Sequence, residues 1–269
     1  FDSGKIDAVI IATPHYWHPV YCIQAARKGI HVLSEKPVAV RVGPARQMIA
    51  ECKKHKVALG AMLQQRTRGI MIKMHDMIAS GKLGEVFNVA MVCSSWYRSQ
   101  TYYDSGSWRG TWDGEGGGVL LNQAPHSLDL FQWMAGGLPQ AITATVDTRW
   151  HKIEVENTAH AICDFGDGHY GTIYATTAEA PGEERLVVSG DKGTLVANRG
   201  KLMLGKPQPA ITKHMFSCAE QFGSPGSEWQ EVTWKKEPEG KHINVTDAFA
   251  KHILKGTDMV ATGEEAINE

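Results

Sequence analysis

Three short polar clusters each follow an apolar run: Thr13-Pro14-His15 after residues 8–12, Ser34-Glu35-Lys36-Pro37 after 30–33, and Gln64-Gln65-Arg66 after 57–62. A lysine, a carboxylate, an imidazole and amides at neighbouring strand ends can grip a polar ligand and move a proton. In an open parallel sheet, ligands bind at those carboxyl ends. The competing reading is that strand ends are polar because they meet water. A second cluster runs from Gly116-Gly117-Gly118 through Asn122-Gln123-Ala124-Pro125-His126 to Asp129. If a helix covers 122–133, Asn122, His126 and Asp129 fall at i, i+4 and i+7 on one face. Leu121, Ala124, Leu128 and Phe131 then form the neighbouring apolar stripe. Pro125 fits a first turn but would kink a helix begun at the glycines. An imidazole with an ordinary pKa of about 6.5 suits general-base work on a hydroxyl. For His126 alone, a satisfied structural histidine competes with that role.

The elements that would hold these groups follow two rhythms. Residues 1–82 read as strand and helix repeated three times: one helix carries Val20, Ile23 and Ala26 and stops at Gly29, the next opens at Gly43-Pro44, and the third closes at Gly81. Strands spaced by single helices imply right-handed crossovers and a parallel sheet. After Gly84 the pattern becomes strands with tight turns, at 85–95, 140–150, 157–166, 169–177, 185–190, 194–198 and 201–204. Gly166-Asp167-Gly168, Gly190-Asp191-Lys192-Gly193 and Arg199-Gly200 supply the turn chemistry. Helices are expected around 122–135 and 244–255, and 205–228 reads as a loop. The expected class is α/β, with residues 1–82 forming a partial doubly wound parallel sheet. Residues 83–269 would then form an α+β domain with a large open mixed or antiparallel sheet.

Composition narrows the partners. The 269 residues are 42% hydrophobic and 21% charged, enough to bury a sizeable core. Lys and Arg number 28 against 29 Asp and Glu. This balance gives no general attraction to nucleic acid or to anionic lipid. No apolar run reaches the roughly 18 residues of a membrane span. Five scattered cysteines without a CxxC pair argue against a disulfide framework and fit a reducing cytoplasm. His15 and His18 with Glu35 lack a third ligand at set spacing, so no metal is expected.

On these motifs the chain resembles the Gfo/Idh/MocA family, which includes glucose–fructose oxidoreductase and inositol dehydrogenase. Thr13-Pro14-His15-Tyr16-Trp17-His18 is similar to the family's Thr-Pro-Asn-x-x-His segment, and Ser34-Glu35-Lys36-Pro37 to its Glu-Lys-Pro signature. Trp108-Arg109-Gly110-Thr111-Trp112 through the glycines to His126 and Asp129 resembles its motif ending in His-x-x-Asp. Val155-Glu156-Asn157-Thr158-Ala159 and Thr262-Gly263-Glu264-Glu265-Ala266 resemble further landmarks.

The resemblance implies that 1–82 is the C-terminal half of a Rossmann domain and that 83–269 is a substrate-binding and oligomerisation domain. It implies NAD or NADP held against Ala12, Thr13, Pro14, His15, His18, Glu35, Lys36, Pro37 and Gln64. Hydride would pass between the nicotinamide and a secondary hydroxyl of a sugar, polyol or inositol. Lys36 and His126 would be catalytic, and either could carry the proton. Asp129 would orient the histidine or touch substrate, alongside Tyr97, Trp108, Arg109 and Asn122. A homodimer or homotetramer packed through the open sheet is expected. Two departures stand out: relatives often have aspartate where Asn122 stands, and no GxGxxG occurs. The missing loop implies about sixty further residues upstream of Phe1, and poor dinucleotide binding by these residues alone, because the pyrophosphate normally rests on that loop. The alternatives are a nicotinamide-dependent glycosidase or eliminase of the same family, and a binding or assembly homologue that has lost the cofactor.

Overall fold

The structure is a computed structural model and describes residues 1–236 and 238–268. The three apolar runs form β1 (Ala8–Ile11), β2 (His31–Ser34) and β3 (Leu59–Ala61), joined by α1 (Trp17–Arg27) and α2 (Val42–Lys54). They pair in parallel in the order β1-β2-β3. Small side chains let the two helices lie close on one face, where Cys22, Ala25, Ala26, Met48 and Cys52 pack with Ile11, Val32 and Ala61. Among the described residues the outer edge of β1 has no strand partner, and Ile10 is 50% exposed.

A 3-10 turn (Gln64–Thr67) and α3 (Gly69–Ala79) lead into β4 (Val86–Cys93), followed by the short α4 (Gln100–Asp104) and α5 (Pro125–Ala135). Then come β5 (Ala141–Asp147), β6 (Thr158–Gly166), β7 (His169–Thr176), β8 (Glu184–Gly190), β9 (Gly193–Asn198) and β10 (Lys201–Gln208). The chain continues through α6 (Ile211–Ser217), β11 (Gly226–Glu231), α7 (His242–Lys255) and α8 (Gly263–Ala266). The described strands β4 to β11 form one sheet in the order β11-β10-β9-β8-β4-β7-β6-β5. Its β4–β7 pair is parallel and the others are antiparallel. Period-two alternation sends Val89, Met91, Leu186, Val188, Leu195 and Leu202 to one face, where Met71 and Met74 of α3 and Phe131 and Met134 of α5 cover them. Among the described residues nothing covers the opposite face, with Val187 registered on Val196, and Ile162 stands 56% exposed.

Three expectations need correction. Helix α3 does not close the first domain: its methionines belong to the core of the large sheet. The end of the chain returns to the parallel sheet, where Val245 and Phe249 of α7 pack on Leu33 and Met62, while Ala261 and Ala266 join the other core. The domain boundary therefore lies near the 3-10 turn rather than at residue 82, and residues 242–266 belong with the first unit. Periodicity shows that a helix has an apolar face but not which sheet will cover it. Segment 205–228 holds α6 and part of β11, which pairs with β10 from Met203↔Glu231 to Gln208↔Gly226. Helix α5 begins at Pro125, so Asn122 precedes it and does not share its face with His126.

The glycine run 116–118 is explained by close packing. A Cβ on Gly118 would lie 1.6 Å from the carbonyl oxygen of Glu156, and one on Gly116, at φ +87, would strike Val40. The Glu156 carboxylate accepts from the N–H groups of Gly118 and Leu120, so the loop before α5 is pinned to the strand that begins at Thr158. Gly118→Ala is expected to lower stability by about 3 kcal/mol, the scale of forced overpacking. The midpoint of urea unfolding measures this, and an unchanged midpoint would show that the loop can yield.

Candidate active site

Lys36 stands in the loop after β2, and its peptide with Pro37 is cis. Buried His18 of α1 lies beneath that loop, with Nδ1 2.8 Å from the carbonyl oxygen of Pro37 and Nε2 2.7 Å from that of Thr13. One imidazole thus spans the loops after β1 and β2. The ammonium of Lys36 reaches across to the second unit and donates to the carbonyl oxygen of Asn122 at 2.5 Å. Glu35 Oε2 accepts from the N–H of Lys36, and Oε1 lies 3.4 Å from His242 Nε2.

His126, in the first turn of α5, is buried, and its Nε2 lies 3.2 Å from Gln64 Nε2. With the amide donating, the imidazole proton sits on Nδ1, which has no partner. A half-turn of the Gln64 amide would reverse the bond, move the proton to Nε2 and leave Nδ1 as the base, so the orientation of Gln64 decides whether His126 has a free lone pair. Burial, followed by the charges of Lys36 and His242, pushes the imidazole down to about 3. It is therefore neutral at ordinary pH.

Asn122 and Glu115 form a pairing that sequence reasoning missed. The Glu115 carboxylate is buried, accepts from the N–H of Gly110 at 2.6 Å and takes the side-chain amide of Asn122. Burial pushes this carboxyl up. A carboxylate seven residues earlier thus contacts the residue at which relatives often carry aspartate. Its only sequence signal was an acid inside a glycine run. Tyr102 was also missed: its Oη lies 2.5 Å from Arg109 Nη1, 3.3 Å from Gln123 Nε2 and 3.5 Å from Asn122 Nδ2.

Other residues go elsewhere than expected. Asp129 is fully buried and takes a bidentate pair from Arg66, at 2.9 Å to Nε and 2.6 Å to Nη2, instead of orienting His126 or facing substrate. Arg66 also bonds Glu265 at 2.9 Å and lies over Trp133. One helical turn separates His126 from Asp129, and Gln64 and Arg66, two residues apart, reach one each. His15 faces the second unit: Nδ1 is 2.9 Å from the carbonyl oxygen of Glu115 and the ring meets Trp108 edge-on. Burial pushes it down to about 4. Trp108 packs on His15 and Arg109, Tyr97 is 54% exposed, and Ala12, Thr13 and Pro14 begin the loop after β1. Among the described residues no three metal-ligating side chains converge. An apolar cavity of about 440 Å³ lies behind this junction, between Val38, Leu128 and Ala161, and is lined by neither Lys36 nor His126.

Residues 1–62 match the oxidoreductase family with an NAD-binding Rossmann fold, and residues 71–196 match the GFO/IDH/MocA C-terminal domain. The chain belongs to the Gfo/Idh/MocA family. It is 27% identical to the 2,7-anhydro-N-acetylneuraminate hydratase of Mediterraneibacter gnavus over 72% of this chain and 52% of that protein. It is also 27% identical to the scyllo-inositol 2-dehydrogenase (NADP(+)) of Bacillus subtilis, over 99% of this chain and 75% of that protein. The crystal structure of the Bordetella pertussis WlbA dehydrogenase with NADH and UDP-GlcNAcA superposes with a TM-score of 0.79 at 28% identity, covering 99% of this chain and 74% of that one. The chain spans 52% to 56% of the length of the first curated relatives that it matches.

The two depressed histidines set a pH dependence. Relative to an unfolded value of 6.5, His126 near 3 and His15 near 4 refuse protons that the unfolded chain accepts. Stability is therefore full above about 6.5 and falls as pH drops towards 4, by up to about 1.4 kcal/mol per pH unit for each group. His126→Gln is expected to flatten this slope by one such increment. Urea unfolding free energies across the interval test it, and an unaltered slope would mean that His126 titrates normally.

Proposed function

We propose that this chain belongs to an NAD(P)-dependent oxidoreductase that moves hydride between the nicotinamide and a secondary hydroxyl of a sugar, polyol or inositol. The observation that carries this reading is the convergence of Lys36 and His126 on one junction: Lys36 is tied to Asn122, His126 follows four residues later, and Gln64 reaches it from the parallel sheet. Fit to a dinucleotide is supported by Thr13 Oγ1, Gln64 Oε1 and His126 Nδ1, which are buried without partners around the sheet's carboxyl ends. Ala12, Thr13, Pro14, Glu35, Lys36, Pro37 and Gln64 would line it, and His15 and His18 would hold the shape of those loops. When bound, the nicotinamide supplies the hydride acceptor.

The chain's own part is proton handling and orientation. The Lys36 ammonium can exchange the Asn122 carbonyl for a substrate oxygen and stabilise negative charge there. Neutral His126 can take the hydroxyl proton, and the charge developing on that oxygen raises its proton affinity, opposing the effect of Lys36. Lys36 is the alternative proton carrier. The hydratase relative favours a second reading, in which the substrate is oxidised transiently and then eliminated. Net accumulation of reduced cofactor separates the two, since an eliminase recycles it. Among the described residues no helix is long and apolar enough to cross a membrane. A cytoplasmic setting agrees with the free cysteines.

In the full-length protein His126→Ala is expected to lower kcat about 10²- to 10⁴-fold while changing cofactor affinity little, the usual yield of a positioned acid–base group. Steady-state kinetics with dinucleotide titration check this, and a kcat within a few-fold of wild type would remove the role. The uncovered sheet face, with Val187, Val196 and Ile162, is the proposed contact between copies. Light scattering at micromolar concentration is expected to give a dimer or tetramer that Val196→Lys shifts towards monomer. A monomeric wild type would contradict the contact.

A further inference from the structure

We propose that Arg98, Arg109 and Tyr102 form a subsite for an anionic group, a carboxylate or a phosphate, carried by the substrate; this rests on reading the junction as a carbohydrate site. Two guanidinium groups pack on one phenol ring, Arg98 at 4.8 Å and Arg109 at 4.4 Å from its centroid. Arg98 also lies 5.6 Å from the Trp96 ring and Arg109 4.5 Å from that of Trp108. Stacking occupies the faces of the guanidinium groups; Nη1 of Arg98 donates to the carbonyl of Tyr97 and Nη1 of Arg109 to Tyr102 Oη, and the remaining N–H edges are left for a ligand in the plane.

Neither arginine has a carboxylate partner among the described residues, whereas Arg27, Arg66 and Arg68 each have one. The Nε of Arg98 is buried and lacks any acceptor. The backbone of Arg98 is fixed from both sides, its N–H donating to the Thr177 carbonyl and its carbonyl accepting from His151 Nε2, each at 2.9 Å. Such a donor, desolvated and held in place, costs free energy until an acceptor arrives.

The subsite adjoins the reacting groups. Tyr102 Oη is 3.5 Å from Asn122 Nδ2, and the carbonyl of Asn122 holds Lys36. The acid beside Arg109 is Glu115, but its oxygens are turned to Gly110 and Asn122. Glu154 is turned to the N–H of Trp112. Two guanidinium groups without a carboxylate partner among the described residues therefore stand where a ring bound at Lys36 would carry its substituents. A neutral polyol does not use their charge, whereas a carboxylate or phosphate meets the guanidinium edges with paired charge-assisted hydrogen bonds.

The test uses the full-length protein with its nicotinamide cofactor, and D-glucuronate, glucose 1-phosphate and myo-inositol as carboxylate, phosphate and neutral probes. At least one charged probe is expected to exceed myo-inositol in kcat/KM, and the better of the two identifies the source of the charge. Arg98→Gln is expected to shrink that preference about 10- to 100-fold, chiefly through KM, the scale of one lost hydrogen bond to a charged group. Arg98→Lys should restore only part, because an ammonium lacks the planar fork. Equal or better use of myo-inositol, or a loss in Arg98→Gln shared equally by charged and neutral probes, would overturn the proposal. If no probe reduces the cofactor, the oxidoreductase reading has failed, and calorimetric titration of the two charged probes into the cofactor-loaded protein still decides the subsite. Binding that Arg98→Gln abolishes supports it, and absent or unchanged binding overturns it.

Discussion

The buried pair between Arg66 and Asp129 is the constraint on which the remaining geometry depends. Arg66 ends the polar tip after β3, Asp129 lies on the helix that carries His126, and Glu265 adds a third segment at 2.9 Å. Removing one partner would strand a desolvated charge, at a cost of about 3–5 kcal/mol for pairs of this kind. The bidentate fork fixes direction as well as distance. Gln64 is two residues before Arg66, and His126 is three before Asp129, so the ion pair sets the separation at which amide and imidazole meet. The group proposed for the chemistry and the anchor that sets its position are neighbours one turn apart on the same helix.

A second level of control comes from close backbone approaches. His18 reaches two loop carbonyls from below, and Gly118 lets the loop before α5 touch the backbone of Glu156. Together they fix the strand tips on one side of the junction and the start of the helix on the other. The side chains facing the cleft are thus carried by main chain that has few alternatives, which is what precise orientation of a reacting group requires. The glycines here serve packing, and that agrees with their position after an aromatic segment rather than after a buried parallel strand.

Much of this was legible in the sequence because period and turn chemistry are local. The runs behind Thr13, Lys36 and Gln64 became parallel strands, and the turns at Gly166-Asp167-Gly168 and Arg199-Gly200 fell between strands as their residues require. What escaped depended on tertiary partners. The segment Gly226–Glu231 has little intrinsic strand preference and is a strand because β10 offers it an edge. The expectation for Asp129 failed because face counting says which residues neighbour one another on a helix, not which distant arginine will claim one of them. Arg66 was noted as part of a polar tip, yet nothing local marked it as the partner of residues 63 and 199 positions away. Glu115 was hidden similarly, since an acid flanked by glycines reads as a solvated loop.

The return of the chain to the parallel sheet bears on how the protein is made. The core around Ile11, Val32 and Ala61 is completed by Ala261 and Ala266, and the other face of that sheet by Val245 and Phe249. During synthesis β1, β2 and β3 emerge from the ribosome before the large sheet, yet their covering residues are translated after it. At about 5–20 residues per second, the intervening sheet takes tens of seconds to appear, and throughout that interval the nascent parallel sheet presents apolar surface to the cell. The large sheet, whose helices lie within its own span of sequence, can fold first and serve as the platform on which the earlier segment is finished. Chaperone dependence would then be concentrated in the part of this chain translated before the large sheet and completed after it.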